Sequence, residues 1–547
     1  MTVETAAAPA PWTPPPVPVP AAYRDPDYAL LPDGRRAERL ADMLRARAAA
    51  TPDVDAVLEV GRTTSWAELD RTANRVAQAL ARDGVRAGDR VAYVGANAPS
   101  FLAVLFGAAK LGAVPAPLNA LLAVPELSVV LADARPAVLV VGAGSGPAAA
   151  AATGSTRMVA VDDGVAGAVP WDTWLAGADD TDPGVVVDPQ DTAVLFFSSG
   201  TTGRPKGIEL TGANLGQALA ASYYLLDLDV RSVAMAPIPF FHVAGIGLAL
   251  AAVLGGSALL LEAPTDLAGV AELWQRRAVT HAVAVPTVLQ MLLQLPAVRQ
   301  ADWSTLQYVI YGASPIPVPV LTDAAEVFGC RFLQSYGLTE STGGITMLMP
   351  EDHRPDPADP VAVARLRSVG RPMPGVPVRV VDPVTLEDLP PGQRGEVLIG
   401  GGHVMKGYWE RPEDTAASLL PGGWLRTGDG GSFDDGGYLF LHDRLKDMII
   451  TGGENVFPAE VESVLTGHPG VVEVAVVGVP SGRWGESPHA VVVPRDPASF
   501  DPDELLTWAR ERLAHYKCPV GVTVVGTLPR NASGKLLKRQ LRADLAS

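Results

Sequence analysis

Phe197-Ser198-Ser199-Gly200-Thr201-Thr202-Gly203-Arg204-Pro205-Lys206-Gly207 places four hydroxyls, three glycines and a lysine directly after the apolar run Ala193–Phe197. Glycines let a backbone turn its N–H groups inward, hydroxyls add donors and Lys206 adds positive charge, which together suit a phosphate group. The spacing is not that of a Walker loop, because a count from Gly200 requires a Gly-Lys pair at 205–206 and position 205 is proline. Pro205 and the preceding strand also set the segment apart from a flexible Ser/Thr/Gly linker.

A second concentration of cationic groups lies at the far end of the chain. Residues 530–547 hold Arg530, Lys535, Lys538, Arg539 and Arg542 against one acid, Asp544, although the whole chain has a formal net charge of −17. From Arg444 onward there are twelve basic and twelve acidic side chains, so the preceding residues carry all of the excess negative charge. A neutral unit with a basic end is the better place to meet a polyanionic ligand, while Lys538 to Arg542 read equally as a solvated helix face.

The loop at 198–207 resembles the signature of the adenylate-forming superfamily: acyl-CoA synthetases of the fatty-acid–CoA-ligase type, aryl-CoA synthetases, peptide-synthetase adenylation domains and luciferases. Further motifs follow in the family's order over roughly residues 35–545. The resemblance implies that Ser198, Ser199, Gly200, Thr201, Thr202, Gly203 and Lys206 hold phosphates, and that Tyr311-Gly312-Ala313-Ser314 closes one side of an adenine. In Gln334-Ser335-Tyr336-Gly337-Leu338-Thr339-Glu340 it implies that Tyr336 stacks on the base, Thr339 bonds the α-phosphate and Glu340 helps to hold Mg2+. An aromatic face suits a purine and a hard carboxylate oxygen suits magnesium. On their own, a Tyr-Gly and a Thr-Glu read as a turn and a helix cap.

Leu425-Arg426-Thr427-Gly428-Asp429 resembles the ribose-binding motif, in which Asp429 accepts from both hydroxyls. Asp443-Arg444-Leu445-Lys446-Asp447 resembles the hinge, centred on Lys446, with Arg444 reaching the nucleotide. Thr451-Gly452-Gly453-Glu454-Asn455 resembles the loop that leaves room for a pantetheine arm, since glycine allows close backbone approach. Pro529-Arg530-Asn531-Ala532-Ser533-Gly534-Lys535 resembles the C-terminal catalytic loop, with Lys535 bridging carboxylate and α-phosphate. Without the family, Asp429 is a turn residue and Lys535 a solvated lysine. His242 resembles the histidine of the acyl pocket, where Ala244, Gly245, Gly343 and Gly344 are expected to leave volume. Trp484 and Tyr516 resemble the aromatic sites for the adenine of coenzyme A, although Cys518 and Val520 stand where some relatives carry basic residues.

The implied activity is ATP-dependent conversion of a carboxylic acid to acyl-AMP with release of pyrophosphate, followed by transfer to coenzyme A. That describes an AMP-forming acid–thiol ligase using ATP, Mg2+ and coenzyme A. The alternative is a stand-alone enzyme that loads a carrier protein; a lysine at the hinge position is commoner in coenzyme A synthetases. A dinucleotide oxidoreductase is the rival class, because Val138 to Gly146 resembles a Rossmann turn, but the third glycine position is Pro147.

The elements that must position these residues are legible in outline. Residues 1–20 contain seven prolines and read as an extended tail. Ser65-Trp66-Ala67-Glu68 is a capping box opening a helix with Leu69, Ala73, Val76 and Leu80 on one face, ended by Gly84. Strand-helix-strand alternation follows from Arg90 onward, so a parallel sheet covered by helices is expected. Past Pro374 the sequence turns β-rich, and a compact last unit begins near Arg444. The expected fold is α/β: a tail at 1–30, a large domain at 31–443 with helix-covered sheets and a β-rich subdomain, and a small mobile α+β lid at 444–547.

Val243 to Leu261 is uncharged and long enough on paper to cross a bilayer, but Gly255-Gly256 divides it, so a buried helix, turn and strand are expected. The negative net charge argues against general nucleic-acid binding. Two cysteines without ligand spacing argue against a disulfide framework or structural metal and fit a reducing cytoplasm. No secretory leader is expected, and either a monomer or a homodimer is compatible with the sequence.

Overall fold

A computed structural model describes residues 13–16, 29–151, 156–198, 205–235, 237–262, 266–312, 316–444, 447, 449–451, 454–481, 484–530 and 536–546. They fall into two units, Pro14–Val378 with Ile399–Arg426, and Arg379–Leu398 with Thr427–Ser547. The boundary expected at 443–444 lies inside the second of these.

The fold of the larger unit is α/β. One sheet is wholly parallel, in the order Val114–Leu118, Arg90–Val94, Val138–Val141, Arg157–Ala160, Val169–Pro170. Its central strands are near-continuous apolar runs because helices cover both faces. A nine-stranded sheet runs in the order Arg371–Pro372, Gly343–Leu348, Arg331–Leu338, Tyr308–Gly312, His281–Ala284, Val233–Met235, Ala258–Leu260, Asp55–Glu59, Arg62–Ser65. Its interior pairings are parallel and its edge pairings antiparallel. A third, antiparallel sheet joins Gly407–Tyr408, Lys206–Thr211 and Thr192–Ser198.

Helix Trp66–Arg82 begins where the capping box places it. Ser65 Oγ accepts from Glu68 N–H at 3.2 Å and Glu68 Oε2 accepts from Ser65 N–H at 2.8 Å. Helix Pro99–Lys110 packs beside it and ends in a lysine that is 0% exposed. The Lys110 ammonium donates to Asp70 Oδ1 (2.7 Å), Asn74 Oδ1 (2.6 Å) and Asp182 Oδ2 (2.7 Å), so its three hydrogens have three acceptors. Burial raises the Asp182 pKa, but hydrogen bonds from Arg45 and Lys110 outweigh it and hold the carboxyl well below the usual range. The cluster ties the segment around Asp182 to both helices.

Val243–Leu261 is a helix (Val243–Gly255), a left-handed turn at Gly256 (φ 77°) and a strand (Ala258–Leu260). Among the described residues no helix is long and apolar enough to cross a membrane. Arg47, only 6% exposed, donates Nε–H to Val253 O at 2.8 Å and also bonds Leu254 O, capping the carbonyls at that helix's C-terminal end. The stretch with a Rossmann look is a strand followed by a 3-10 turn, Gly146–Ala151, and Gly144 N–H donates to Asp162 at 2.7 Å.

In the smaller unit one sheet orders Glu454–Val456, Ile449–Thr451, Gly485–Pro494, Val471–Ser481, with Val522–Val524 parallel to Gly485–Pro494. Helices Pro458–Thr466 and Pro502–Arg510 cover one core through Val461, Leu465, Leu505 and Ala509, and helix Lys538–Ala546 covers another through Leu541. Strands Trp424–Phe433 and Leu439–Arg444 form an antiparallel hairpin.

Candidate active site

The phosphate-type loop joins two antiparallel strands in register, with Ser198 opposite Lys206. Ser199, Gly200, Thr201, Thr202, Gly203 and Arg204 lie outside the described residues, so the loop is described up to Ser198 and again from Pro205 and Lys206. Lys206 Nζ is 2.6 Å from Asp414 Oδ1 and 4.9 Å from the Tyr408 ring centroid.

Parallel strands Tyr308–Gly312 and Arg331–Leu338 deliver Gly312 and Ser335–Leu338 to their carboxyl ends, where open α/β sheets bind ligands. Ala313 and Ser314 lie outside the described residues. Tyr311 points into the core, its hydroxyl 3.0 Å from His353 Nε2. Gln334 is buried, and Ser335 and Tyr336 are half-buried. Gly337 sits at a bulge against strand Gly343–Leu348, where a Cβ would overlap the Gly343 carbonyl. The chain then makes a 3-10 turn, Thr339–Ser341, closed by Ser341 Oγ accepting from Leu338 N–H at 2.9 Å. Thr339 and Glu340 are therefore presented on a rigid corner.

A strap at residues 402–414 secures that corner. Met405 N–H donates to Glu340 O (2.8 Å), Thr342 Oγ1–H to His403 O (2.7 Å) and Tyr408 O–H to Glu340 Oε1 (3.1 Å). Asn214, in the capping box that opens helix Gly212–Leu226, donates to Gly402 O and Val404 O at 2.7 and 2.9 Å. Lys406 N–H and Trp409 N–H donate to Glu209 O and Gly207 O. Neither Tyr408 nor Asp414 stood out from sequence; Gly407-Tyr408-Trp409 has no periodicity, and its partners are far away in the chain. Among the described residues no group of three His, Cys, Asp or Glu could hold a metal ion. Glu340 offers a single hard-oxygen donor, which fits a magnesium ion that is otherwise bound by phosphate oxygens and water.

His242 is the N-cap residue of helix Val243–Gly255, its ring 4.5 Å from that of Phe241, and burial lowers its pKa. The small residues near it do not all leave volume, contrary to expectation. A Cβ at Gly245 would come within 2.7 Å of Ile238 O and collide with Pro239 O, and one at Gly344 would overlap Ser335 Oγ. These two glycines permit close packing. Gly343 (φ 106°) lies beside Val243, and Gly247 faces open space, with nothing within 4 Å of a built Cβ. Ala244 is exposed.

His403 is 3% exposed, and neither ring nitrogen has a hydrogen-bond partner among the described residues. Burial pushes its pKa from 6.5 down to about 4. An unfolded chain takes up this proton near pH 6.5 while the folded ring resists it to about 4, so acidification through that window favours unfolding. From pH 7 to pH 5 this ring alone is expected to remove about 2 kcal/mol of stability. Urea unfolding of His403→Leu at the two pH values should show a shallower loss than the wild type. Part of the slope persists because burial also pushes His353 to about 4; an identical slope in the variant would exonerate His403.

In the smaller unit, Asp429 is 9% exposed and pairs in register with Arg444 across the hairpin. Its N–H donates to Thr427 Oγ1 at 3.0 Å, and Thr427 Oγ1–H donates to Val397 O at 2.7 Å. Lys446, Gly452, Gly453 and Lys535 lie outside the described residues. Gly452-Gly453 is flanked by the antiparallel pair Thr451–Glu454. The base of the loop ending at Lys535 is held by an Arg530–Leu536 bridge and by Leu537 N–H donating to Pro529 O at 2.9 Å. Trp484 and Tyr516 are 48% and 40% exposed, and Lys517 pairs with Glu460 at 2.6 Å.

Comparison with known proteins gives a consistent picture. The AMP-binding enzyme family matches residues 44–409, and the AMP-binding enzyme C-terminal domain matches 460–535. A feruloyl-CoA synthase of an Amycolatopsis species is 40% identical, over 91% of this chain and 97% of that protein. A fatty acid–[acyl-carrier-protein] ligase of Streptomyces coeruleorubidus is 38% identical, over 90% and 93%. Among solved structures, ATP-bound MatB from Rhodopseudomonas palustris superposes with a TM-score of 0.83 at 30% identity, over 92% of this chain and 98% of that one.

Proposed function

Because the chain belongs to the AMP-binding enzyme family, we propose which of its residues perform the two half-reactions of an AMP-forming acyl-CoA ligase. The enzyme activates a carboxylic acid with ATP as acyl-AMP, releasing pyrophosphate, and passes the acyl group to coenzyme A. A carboxylate is a poor electrophile with oxide as its leaving group. The mixed anhydride with AMP removes both obstacles, and the thiol then displaces AMP.

In the first step a carboxylate oxygen attacks the α-phosphorus and pyrophosphate leaves. Ser198 to Gly203 and Lys206 hold the phosphates, Thr339 donates to the α-phosphate and Lys535 meets the charge that gathers between the carboxylate and the phosphorus. Bound at Glu340, magnesium would neutralise charge on the triphosphate. Gly312, Ala313, Ser314, Gln334, Ser335, Tyr336 and Gly337 form the adenine slot, Asp429 accepts from the ribose hydroxyls and Arg444 approaches the nucleotide. The acyl group lies beside His242 along the helix face carrying Ala244 and Gly247. For the second step the last domain turns about Lys446, bringing Gly452-Gly453 to the pantetheine arm and Trp484 and Tyr516 to the coenzyme's adenine.

The observation that carries these assignments is the rigid corner at Thr339–Glu340, joined by one strap to the end of the phosphate-type loop at Lys206. The test is pyrophosphate release from ATP with a panel of fatty, cinnamic and larger aryl acids, each product then offered to free coenzyme A and to a phosphopantetheinyl carrier protein. Thioester formed on coenzyme A is the expected result. Thioester formed on the carrier alone would favour the carrier-loading alternative, and absence of pyrophosphate with every acid would refute adenylation.

A further inference from the structure

Two charged groups of the proposed nucleotide site converge on one side chain that neither motif contains. Tyr408 O–H donates to Glu340 Oε1 at 3.1 Å, and Lys206 Nζ stands 4.9 Å from the centre of the Tyr408 ring, within cation–π range. Asp414 holds the same ammonium at 2.6 Å. The tyrosine is itself fixed: its N–H donates to Thr415 Oγ1 at 2.9 Å, and its strand pairs in register with Ile208, two residues beyond Lys206.

We propose that Tyr408 is a positioning residue, orienting the Glu340 carboxylate through its hydroxyl and the Lys206 ammonium through its ring, so that metal and triphosphate meet a preset pair. This rests on the assignment of Glu340 and Lys206 to the magnesium–ATP site. The hydroxyl is the donor in this contact, because an ionised carboxylate only accepts. It fixes one carboxylate oxygen, as groups behind a metal ligand commonly do, and losing such a partner typically costs about 10–100-fold in metal affinity. The ring keeps Lys206 near the base of the loop while Asp414 offsets its charge until phosphate arrives.

The two contacts can be separated. Tyr408→Phe removes the hydroxyl and keeps the ring, whereas Tyr408→Leu removes both. Calorimetric titration of ATP, without acid substrate and at stepped Mg2+ concentrations or in EDTA, reads binding independently of turnover. Tyr408→Phe is expected to raise the Mg2+ concentration for half-maximal enhancement about ten-fold, with metal-free ATP affinity unchanged. Tyr408→Leu should add a loss of metal-free affinity. Glu340→Gln should reproduce the metal effect, and combining it with Tyr408→Phe should add nothing further. If Glu340→Gln loses the metal dependence while Tyr408→Phe keeps it, the role of Tyr408 is overturned and the site stands. If Glu340→Gln itself keeps it, the assignment of Glu340 falls and the proposal falls with it. Thermal unfolding close to wild type for Tyr408→Phe keeps the comparison interpretable, and full additivity of the two changes would also refute the proposal.

Discussion

Replacing Lys535 with alanine is expected to slow acyl-AMP formation by about 10²–10³-fold, while conversion of supplied acyl-AMP to thioester continues near the wild-type rate. Negative charge builds between the incoming carboxylate and the α-phosphorus only in the first half-reaction, and an ammonium preorganised there is worth most when charge develops. In the second step the thiol attacks a carbonyl and AMP departs, so no charge builds at the α-phosphorus for that ammonium to meet. The loop's base is built to hold its shape, since Arg530 and Leu536 bridge and Leu528 and Leu541 share a core. Removing the ammonium should therefore leave the small domain folded. Single-turnover measurements, pyrophosphate release for the first step and thioester formation from synthetic acyl-AMP for the second, provide the check. Equal damage to both would rule out two alternating poses of the last domain.

The second large effect concerns stability. Lys110→Met is expected to destabilise the larger unit by about 3–5 kcal/mol, the usual cost of removing one partner from a buried ionic cluster. Met fills most of the space, so the loss comes from charge. Asp182 keeps Arg45 at 2.7 Å, but among the described residues Asp70 is left with only the Asn74 amide at 3.3 Å. Lys110→Met combined with Asp70→Asn should recover part of the loss, because the stranded carboxylate is gone. Urea unfolding followed by tryptophan fluorescence would report both, and a single variant as stable as wild type would show that the cluster has little net worth.

Local signals were legible from the residues alone. The Ser65 capping box starts a helix where its chemistry requires one, and Val243–Leu261 breaks at its glycine pair as an interrupted apolar run should. The strand before the phosphate-type loop, and the alternation that builds the parallel sheet, follow from composition and spacing. Contacts between distant segments were hidden. Tyr408 meets Glu340 across 68 residues and Lys206 meets Asp414 across 208, and no periodicity encodes such a strap. Gly245 and Gly344 read as empty volume because sequence does not reveal which backbone lies opposite; Ile238, Pro239 and Ser335 occupy those places. The buried state of His403 was equally silent, since a Gly-Gly-His run has the composition of an exposed turn. Residues 379–398 join 427–547 through pairing between strands far apart in the chain, a grouping that a reading along the chain does not reveal.

Arg47 grips the carbonyls at one extremity of helix Val243–Gly255, and His242 stands at the other. Two bonds from a single guanidinium therefore tether the far tip of that rod, and any sliding of it along its own axis would have to break both.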